Sequence, residues 1–565
     1  MLKKIAVAAA LVLGGGCATR QTPAPPPTVR PPPPPVEVQI IGINDFHGNL
    51  ETPTSPPSVR MADGTVLKER LGGAAALAAT VKQLRQANSI TVSAGDLIGA
   101  SPLVSAHFLD EPTIQAMNAI GLSLNAVGNH EFDKGSAELL RMQNGGCEKH
   151  TTRVPCRVEP FGGASFQFLA ANVRRSDGQT TILPGSAVRE FGPMKIGFIG
   201  MTLKETATLV TPAGVAGLTF DDEAETANAL VPMLKAQGAD TIVLLIHQGG
   251  KPSENFQQTG CEGLTGGILP IMDRLDPAIS VVVSGHTHYA YACELERGGA
   301  KRLLTSAGRN GYLVTDIRLT FDPATRAITQ RSAINIPVKP EQGADDAVAT
   351  FVAKYAAAAA PAAARPVGKL KGNAPYSEVY DESPASNLIA DAQLAATKAR
   401  DRGDADISFI NASGVRIGIT PTPDGTVTYG QIFAAQPFGN NLVVKSLTGT
   451  QLKALLEQQF VTENGKTEVG SLLAPSANFR FSYDLSRPEG QRIVSMALNG
   501  KPIRPDAVYR ASVNNFLASG GDGFSVLNAG TDTFDAGLDL DALEAWLDTN
   551  PTAPSVGRTR NVTPR

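Results

Sequence analysis

The chain has 565 residues, a formal net charge of −3, 18% charged and 42% hydrophobic residues. That length exceeds one ordinary domain of about 100–200 residues, and with no basic excess nothing points to polymeric nucleic acid as a partner. Its glycine-rich runs do not set GxGxxG between a strand and a helix, so a dinucleotide cofactor is not indicated.

The N-terminus reads as a targeting segment. Lys3 and Lys4 precede an apolar core from Ile5 to Leu13, too short for a bilayer span of about 20 residues. The run GGGC ends at Cys17. Residues 1–17 therefore read as a signal peptide with Cys17 as candidate lipidated residue, although Gly14 replaces the usual Leu three positions earlier. The alternative is cleavage to a free periplasmic protein. Residues 18–35 form a Pro-rich, extended spacer. The expected location is the bacterial periplasm or the outer membrane, with membrane contact only through that anchor. Beyond Cys17 the cysteines are Cys147, Cys156, Cys261 and Cys293, an even number that suits an oxidising compartment. Three pairings are possible; local spacing favours Cys147–Cys156 and Cys261–Cys293, and no CxxC spacing suggests zinc.

Five apolar runs then read as buried strands: VEVQIIGIN, SITVSAG, LNAVG, TIVLLI and ISVVVSG. They alternate with helical stretches at 75–87 and 223–237, which argues a layered α/β domain over residues 36–338. After these runs come Asp45 and His47, Asp96, Asn129 and His130, His247, and His286 and His288. Ligands of open α/β sheets gather at the carboxyl ends of the strands. Asp, Asn and His donors suit Zn, Mn, Fe or Co. One tetrahedral site takes three or four ligands, whereas seven are present here without His130. Two divalent ions about 3.5–4 Å apart are therefore expected, with Asp96 bridging them. Five of the seven histidines fall in these contexts; His107 and His150 read as surface or loop residues.

Residues 344–360 read as an Ala-rich helix stopped by Pro361, inside a linker at 339–366. A second mixture of strands and turns occupies 367–548, followed by a polar tail at 549–565. Within it, NASGVR (411–416) follows DISFI, QPFGN (436–440) precedes NLVVKSL, and NFLASGGDGF (515–524) follows YRASV.

The runs NDFHG (44–48), GD (95–96), GNHEFD (128–133), His247 and GHTH (285–288) resemble the calcineurin-like metallophosphoesterases. From about residue 36 to 548 the chain resembles the secreted 5′-nucleotidase/UDP-sugar hydrolase family. The resemblance implies a metallophosphoesterase β-sandwich flanked by helices, plus a second α/β substrate-specificity domain. It places Asp45, His47, Asp96 and His288 at one metal, and Asp96, Asn129, His247 and His286 at the other. His130, oriented by Asp133, would donate a proton to the leaving oxygen or stabilise the transition state. Glu131 reads as a structural partner, since bound metals take over activation of the water. In the second domain the resemblance makes Phe438 and Phe516 a sandwich for a base. It turns Asn411 and Arg416 toward substrate polar groups, Arg416 toward phosphate, and Asp522 toward ribose hydroxyls. The chemistry is sound in itself: aromatic faces stack on any base, a carboxylate accepts from a diol, and a guanidinium forks onto phosphate.

Two departures from the family pattern bear on substrate. NGGGIR has become NASGVR, and the usual Arg before a segment like ESxxGNL is absent; YDESPASNLIADA (380–392) has Asp381 near that place. Lys369 or Lys371 is the expected substitute. The reading is an exported, metal-dependent phosphohydrolase removing phosphate from nucleotides. Its rivals are a 2′,3′-cyclic phosphodiesterase/3′-nucleotidase, a UDP-sugar or dinucleotide pyrophosphatase, and a non-catalytic surface nucleotide-binding lipoprotein.

Overall fold

The computed structural model describes residues 34–564 except 55, 62, 179, 253–256, 259, 378–380 and 464. The leader, Cys17 and nearly all of the spacer lie outside the described residues.

Two six-stranded sheets form the first half of the molecule. In one, Val36–Ile43, Ser89–Ser93, Leu124–Ala126 and Gln167–Leu169 run parallel, extended by antiparallel Leu313–Phe321 and Ile328–Pro337. In the other, Met194–Thr202, Thr241–His247, Ile279–Ser284 and Ala300–Ala307 run parallel, with Ser186–Phe191 and Ala290–Arg297 as antiparallel edges. Val38, Ile40, Val92 and Leu124 of the first sheet pack against Phe198, Val243, Leu245 and Val283 of the second. Helices Ala74–Leu84 and Glu111–Ile120 cover the outer face of one sheet, and Glu223–Ala236 and Ile268–Arg274 that of the other. Strands buried on both faces need apolar residues at every position, which is why these runs do not alternate in the sequence. Cys147–Cys156 and Cys261–Cys293 are both bonded, the pairing that spacing favoured.

The Ala-rich helix spans Asp346–Ala363, capped by the Asp345 side chain accepting from the Ala347 and Val348 N–H groups. Pro361 does not stop it. In the last turn a proline forfeits only one backbone bond, and the Ala364 N–H still reaches the Ala360 carbonyl at 2.8 Å. Val348, Val352, Tyr355 and Ala359 seat this helix in the core of the first domain.

The second domain centres on a five-stranded sheet in the order Leu473–Pro475, Ile407–Asn411, Val508–Asn514, Asn441–Thr448, Thr531–Leu538. The segment read as a polar tail is part of the fold. Thr559–Asn561 pairs in parallel with Phe479–Tyr483, and the buried Arg558 guanidinium forks onto Asp391 at 2.8 and 2.7 Å. Glu382, from the YDES segment, accepts the N–H groups of Gly557, Arg558 and Thr559. This carboxylate therefore serves the C-terminus of the chain, while Asp381 is exposed. Among the described residues no helix is long and apolar enough to cross a membrane.

Candidate active site

The parallel strands of both sheets end at one edge, and there the seven proposed ligands meet. Asp45, His47, Asp96, His286 and His288 all have φ between 47° and 71°, a left-handed backbone that non-glycine residues seldom adopt. Such strain persists only where neighbours enforce it. Here the Asp45 N–H donates to the Gly95 carbonyl at 2.9 Å and the His47 N–H to the Asp96 carbonyl at 3.0 Å. Glu131, buried, accepts from the N–H groups of Asp96, Leu97 and Gly128 and ties the two motif loops together. Gly128 is required at this contact: a Cβ there would lie 2.2 Å from Asp96 Oδ1.

The imidazoles are oriented by backbone carbonyls. His47 Nδ1 donates to Gly99 O at 2.9 Å and His247 Nδ1 to Ala94 O at 2.7 Å. Their Nε2 lone pairs then point inward. His247 Nε2 faces Asp96 Oδ2 at 2.9 Å, and His47 Nε2 faces His288 Nε2 at 3.1 Å. Asp45 Oδ1 lies 3.5 Å from His288 Nε2 and 3.9 Å from His47 Nε2, and His286 Nδ1 lies 3.1 Å from Asn129 Oδ1. Electron-pair donors aimed at one another in a buried site repel unless a cation sits among them. The donor set therefore fits divalent metal. The ligand atoms of Asp45, His47 and His288, of Asp45, Asp96 and His247, and of His47, Asp96 and His130 fall into compact groups, so Asp45, His47 and Asp96 each stand in two of them.

The electrostatics tell the same story. Burial, reinforced by the Asp96 charge, pushes the Asp45 carboxyl up to about 7. Burial opposes ionisation of Asp96 too, but His247 and His130 carry it well below the usual carboxylate range. Burial lowers His47 and His286 to about 3, with neighbouring cationic imidazoles adding to the effect. His247 is opposed by burial yet driven up to about 10 by Asp96 and Asp45.

His130 opens a single helical turn, His130–Phe132. Its N–H donates to Asp96 Oδ1 at 2.9 Å, and its Nδ1 pairs with Asp133 Oδ2 at 2.8 Å. Two residues of the second domain come to it. Arg416 Nη2 lies 3.3 Å from His130 Nε2, and the Phe438 ring stacks on the imidazole at 5.9 Å and 21°. The Arg416 guanidinium also lies 5.3 Å from the Phe438 ring centre. A cleft of about 570 Å³ runs from these groups, past Lys251 and Glu468, to Ser471, Phe516 and Asp522. Phe516 lies flat on the glycine turn, where a Cβ on Gly521 would meet its ring at 2.5 Å.

Three expectations need adjustment. Lys369 is bound to the Asp424 carbonyl on the surface, and neither it nor Lys371 lines the cleft; the lysine that does is Lys251. Phe438 makes its ring contact with His130, so it serves the catalytic end as well as any base. Asn411 is buried, and its amide donates inward to Ser413 Oγ at 2.7 Å and Asp522 Oδ2 at 2.8 Å. Asn411 also lines the cleft, so it both holds Asp522 and stands where a ligand would lie. Ser413 itself was missed, although the alteration of NGGGIR to NASGVR was its signal. His107 lies outside the site, bonded to Arg157.

Two family models match the chain: Calcineurin-like phosphoesterase over residues 38–290, and 5′-nucleotidase, C-terminal domain, over residues 366–529. The chain is 29% identical over 492 residues to Endonuclease YhcR of Bacillus subtilis, covering 86% of this chain and 37% of that protein. It is 30% identical over 526 residues to Cell wall protein Lmo0130 of Listeria monocytogenes, covering 87% and 64%. It thus spans under two thirds of the length of either. A solved 5′-nucleotidase precursor from Thermus thermophilus superposes with a TM-score of 0.75 at 26% identity, covering 94% of this chain and all of that one. The fold, the paired domains and the metal-fitting cluster are those of a calcineurin-like phosphoesterase with a 5′-nucleotidase C-terminal domain. The chain belongs to the 5′-nucleotidase-like metallophosphoesterases.

Proposed function

We propose that this protein is an exported enzyme that removes phosphate from nucleotides with two divalent cations. Asp45, His47, Asp96 and His288 hold one, and Asp96, Asn129, His247 and His286 the other. Bound divalent cations supply charge stabilisation at the phosphoryl oxygens and activation of water. The protein's own groups do the rest. Asp133 fixes the His130 ring through Nδ1, leaving Nε2 to meet the leaving oxygen. Arg416 supplies a second donor at the same point, and Phe516 and Asp522 hold the nucleoside. The first domain, residues 36–338, carries the chemistry; the linker at 339–366 joins it to the selecting domain that starts at 367.

The observation that carries this reading is the approach of Arg416 to His130 at 3.3 Å across the domain boundary. In this structure the guanidinium donates to the imidazole beside the metal-fitting cluster. An oxyanion entering between them would accept from Arg416 and, with the ring protonated, from His130, whose proton affinity burial opposes but Asp133 and Asp96 raise. The cleft volume of about 570 Å³ suits a ligand of nucleotide size. Export is supported by the leader, by two disulfides and by the cell-wall protein among the relatives. A panel of AMP, ATP, UDP-glucose, 3′-AMP, 2′,3′-cyclic AMP and NAD with added Zn, Mn, Fe or Co tests the assignment. Release of inorganic phosphate from AMP is expected; turnover of the cyclic or pyrophosphate substrates alone would reassign it.

A further inference from the structure

The far end of the cleft is built around Asp522, whose two carboxylate oxygens are not equivalent. Oδ2 accepts from Asn411 Nδ2 at 2.8 Å and from the Ser413 hydroxyl, and Ser471 Oγ lies 3.4 Å away. A carboxylate oxygen has two lone pairs, and both of these are occupied from within the protein. Ser413 is locked in that role, because its own oxygen accepts from Asn411 at 2.7 Å. Asn411 is held in turn by Asn514 Nδ2, which donates to its Oδ1 at 3.1 Å. Among the described residues no donor to Oδ1 is found, and Asp522 lines the cleft. Its backbone sits at φ 54° in the glycine turn, and rotation about the carboxylate bond only interchanges two equivalent oxygens, so one of them is always taken by Asn411 and Ser413.

A vicinal diol binds a carboxylate best with one hydroxyl on each oxygen. We propose that Ser413 is a specificity-determining residue: by occupying Asp522 Oδ2 it leaves this site one acceptor oxygen, so that the protein accepts 2′-deoxyribonucleosides nearly as well as ribonucleosides. The inference rests on the proposed nucleotide function and on Asp522 facing the sugar.

The test is the affinity of the full-length chain for adenosine and uridine and for their 2′-deoxy counterparts, measured by titration calorimetry so that hydrolysis does not enter. Each ribo/deoxy pair should differ by less than about threefold. In Ser413→Ala the second lone pair of Oδ2 is released, and preference for the ribonucleoside should rise about tenfold or more, the usual worth of a hydrogen bond to a charged group. Ser413→Gly should do the same, which guards against a fault of one variant, and thermal denaturation reports whether each is folded. Asp522→Ala should weaken all four ligands. If it does so while both Ser413 variants keep the original ratio, the role of Ser413 is refuted and the nucleotide reading stands. If Asp522→Ala changes nothing, or the parent chain binds none of the four, the nucleoside reading itself falls.

Discussion

The two ends of the cleft are both made of polar side chains following strands, yet they are held in place by different means. At the metal-fitting end, five of the seven proposed ligands stand on left-handed backbone. Main-chain bonds between adjacent loops hold Asp45 and His47, while the Asp96 N–H is held by Glu131 and the His286 N–H by the Asp45 carboxylate. At the sugar end, Asp522 is set by side chains distant in the sequence: Asn411 is 111 residues away and Ser413 109. Placement by backbone tolerates little change in the motif itself. Placement by a side-chain network can be retuned by one substitution, as Ser413 illustrates. On the proposed function, reaction type would rest on loop geometry and substrate choice on exchangeable side chains.

The strongest challenge to this contrast is Asp96→Ala. Asp96 faces His247 at 2.9 Å and His47 at 3.8 Å and receives the His130 N–H, so its loss should empty the site and abolish turnover. Metal content after dialysis is the measurement; a variant that keeps its full metal complement would show that Asp96 is not shared between the ions.

His130→Ala comes next. Its ring is held by Asp133, and although its ligand atom lies close to those of His47 and Asp96, the two proposed ligand sets are complete without it, so metal should remain. Turnover should fall by roughly 10²–10⁴-fold, the range for a general acid. Parallel loss of metal would make His130 a structural member of the cluster.

The same contrast explains what was legible in the sequence. Strand-end Asp and His residues stood out because the backbone that carries them is local: an apolar run, a turn, a ligand. The layered α/β character followed from apolar runs alternating with helical stretches, while the two-sheet sandwich was implied only by the family resemblance. Side-chain networks leave no such local trace. Phe438, Phe516 and Asp522 were visible only through family resemblance; Ser413 left a trace only as a departure from the family motif, and the inward bonds of Asn411 left none. The C-terminal strand Thr559–Asn561 was hidden because its docking depends on Arg558 and Glu382, which recognise each other's surroundings only in three dimensions.

Phe516→Ala probes the sugar end without touching His130. A stack on a base is worth about 1–3 kcal/mol, or roughly a 5- to 150-fold loss in kcat/KM for AMP. A small aryl phosphodiester should be far less affected. Phe438→Ala, by contrast, should impair both substrates, because this ring lies on His130. Equal effects of the two variants on both substrates would erase the distinction drawn between the ends of the cleft.

The smallest effect is expected where the domains meet at the rim. Lys251 Nζ lies 3.6 Å from Glu468 Oε1, and the two side chains are 41% and 39% exposed. Both line the cleft, one from each domain. Solvent screens a pair so open, and exposed ion pairs are worth about 0.2–1 kcal/mol. Glu468→Gln should therefore change kcat/KM for AMP by less than about fivefold. The variant removes a charge that repels an incoming phosphate as well as one that pairs with Lys251, so the two contributions oppose each other. Salt separates them by site: at about 1 M the screening length falls to about 3 Å, and parent and variant should converge. The contacts of Arg416 with His130 and of Ser413 with Asp522 are hydrogen bonds between half-buried groups, so differences produced by their variants should persist at that ionic strength. A salt-resistant effect of Glu468→Gln would place this pair among the substrate contacts and extend the side-chain-built region of the cleft to its rim.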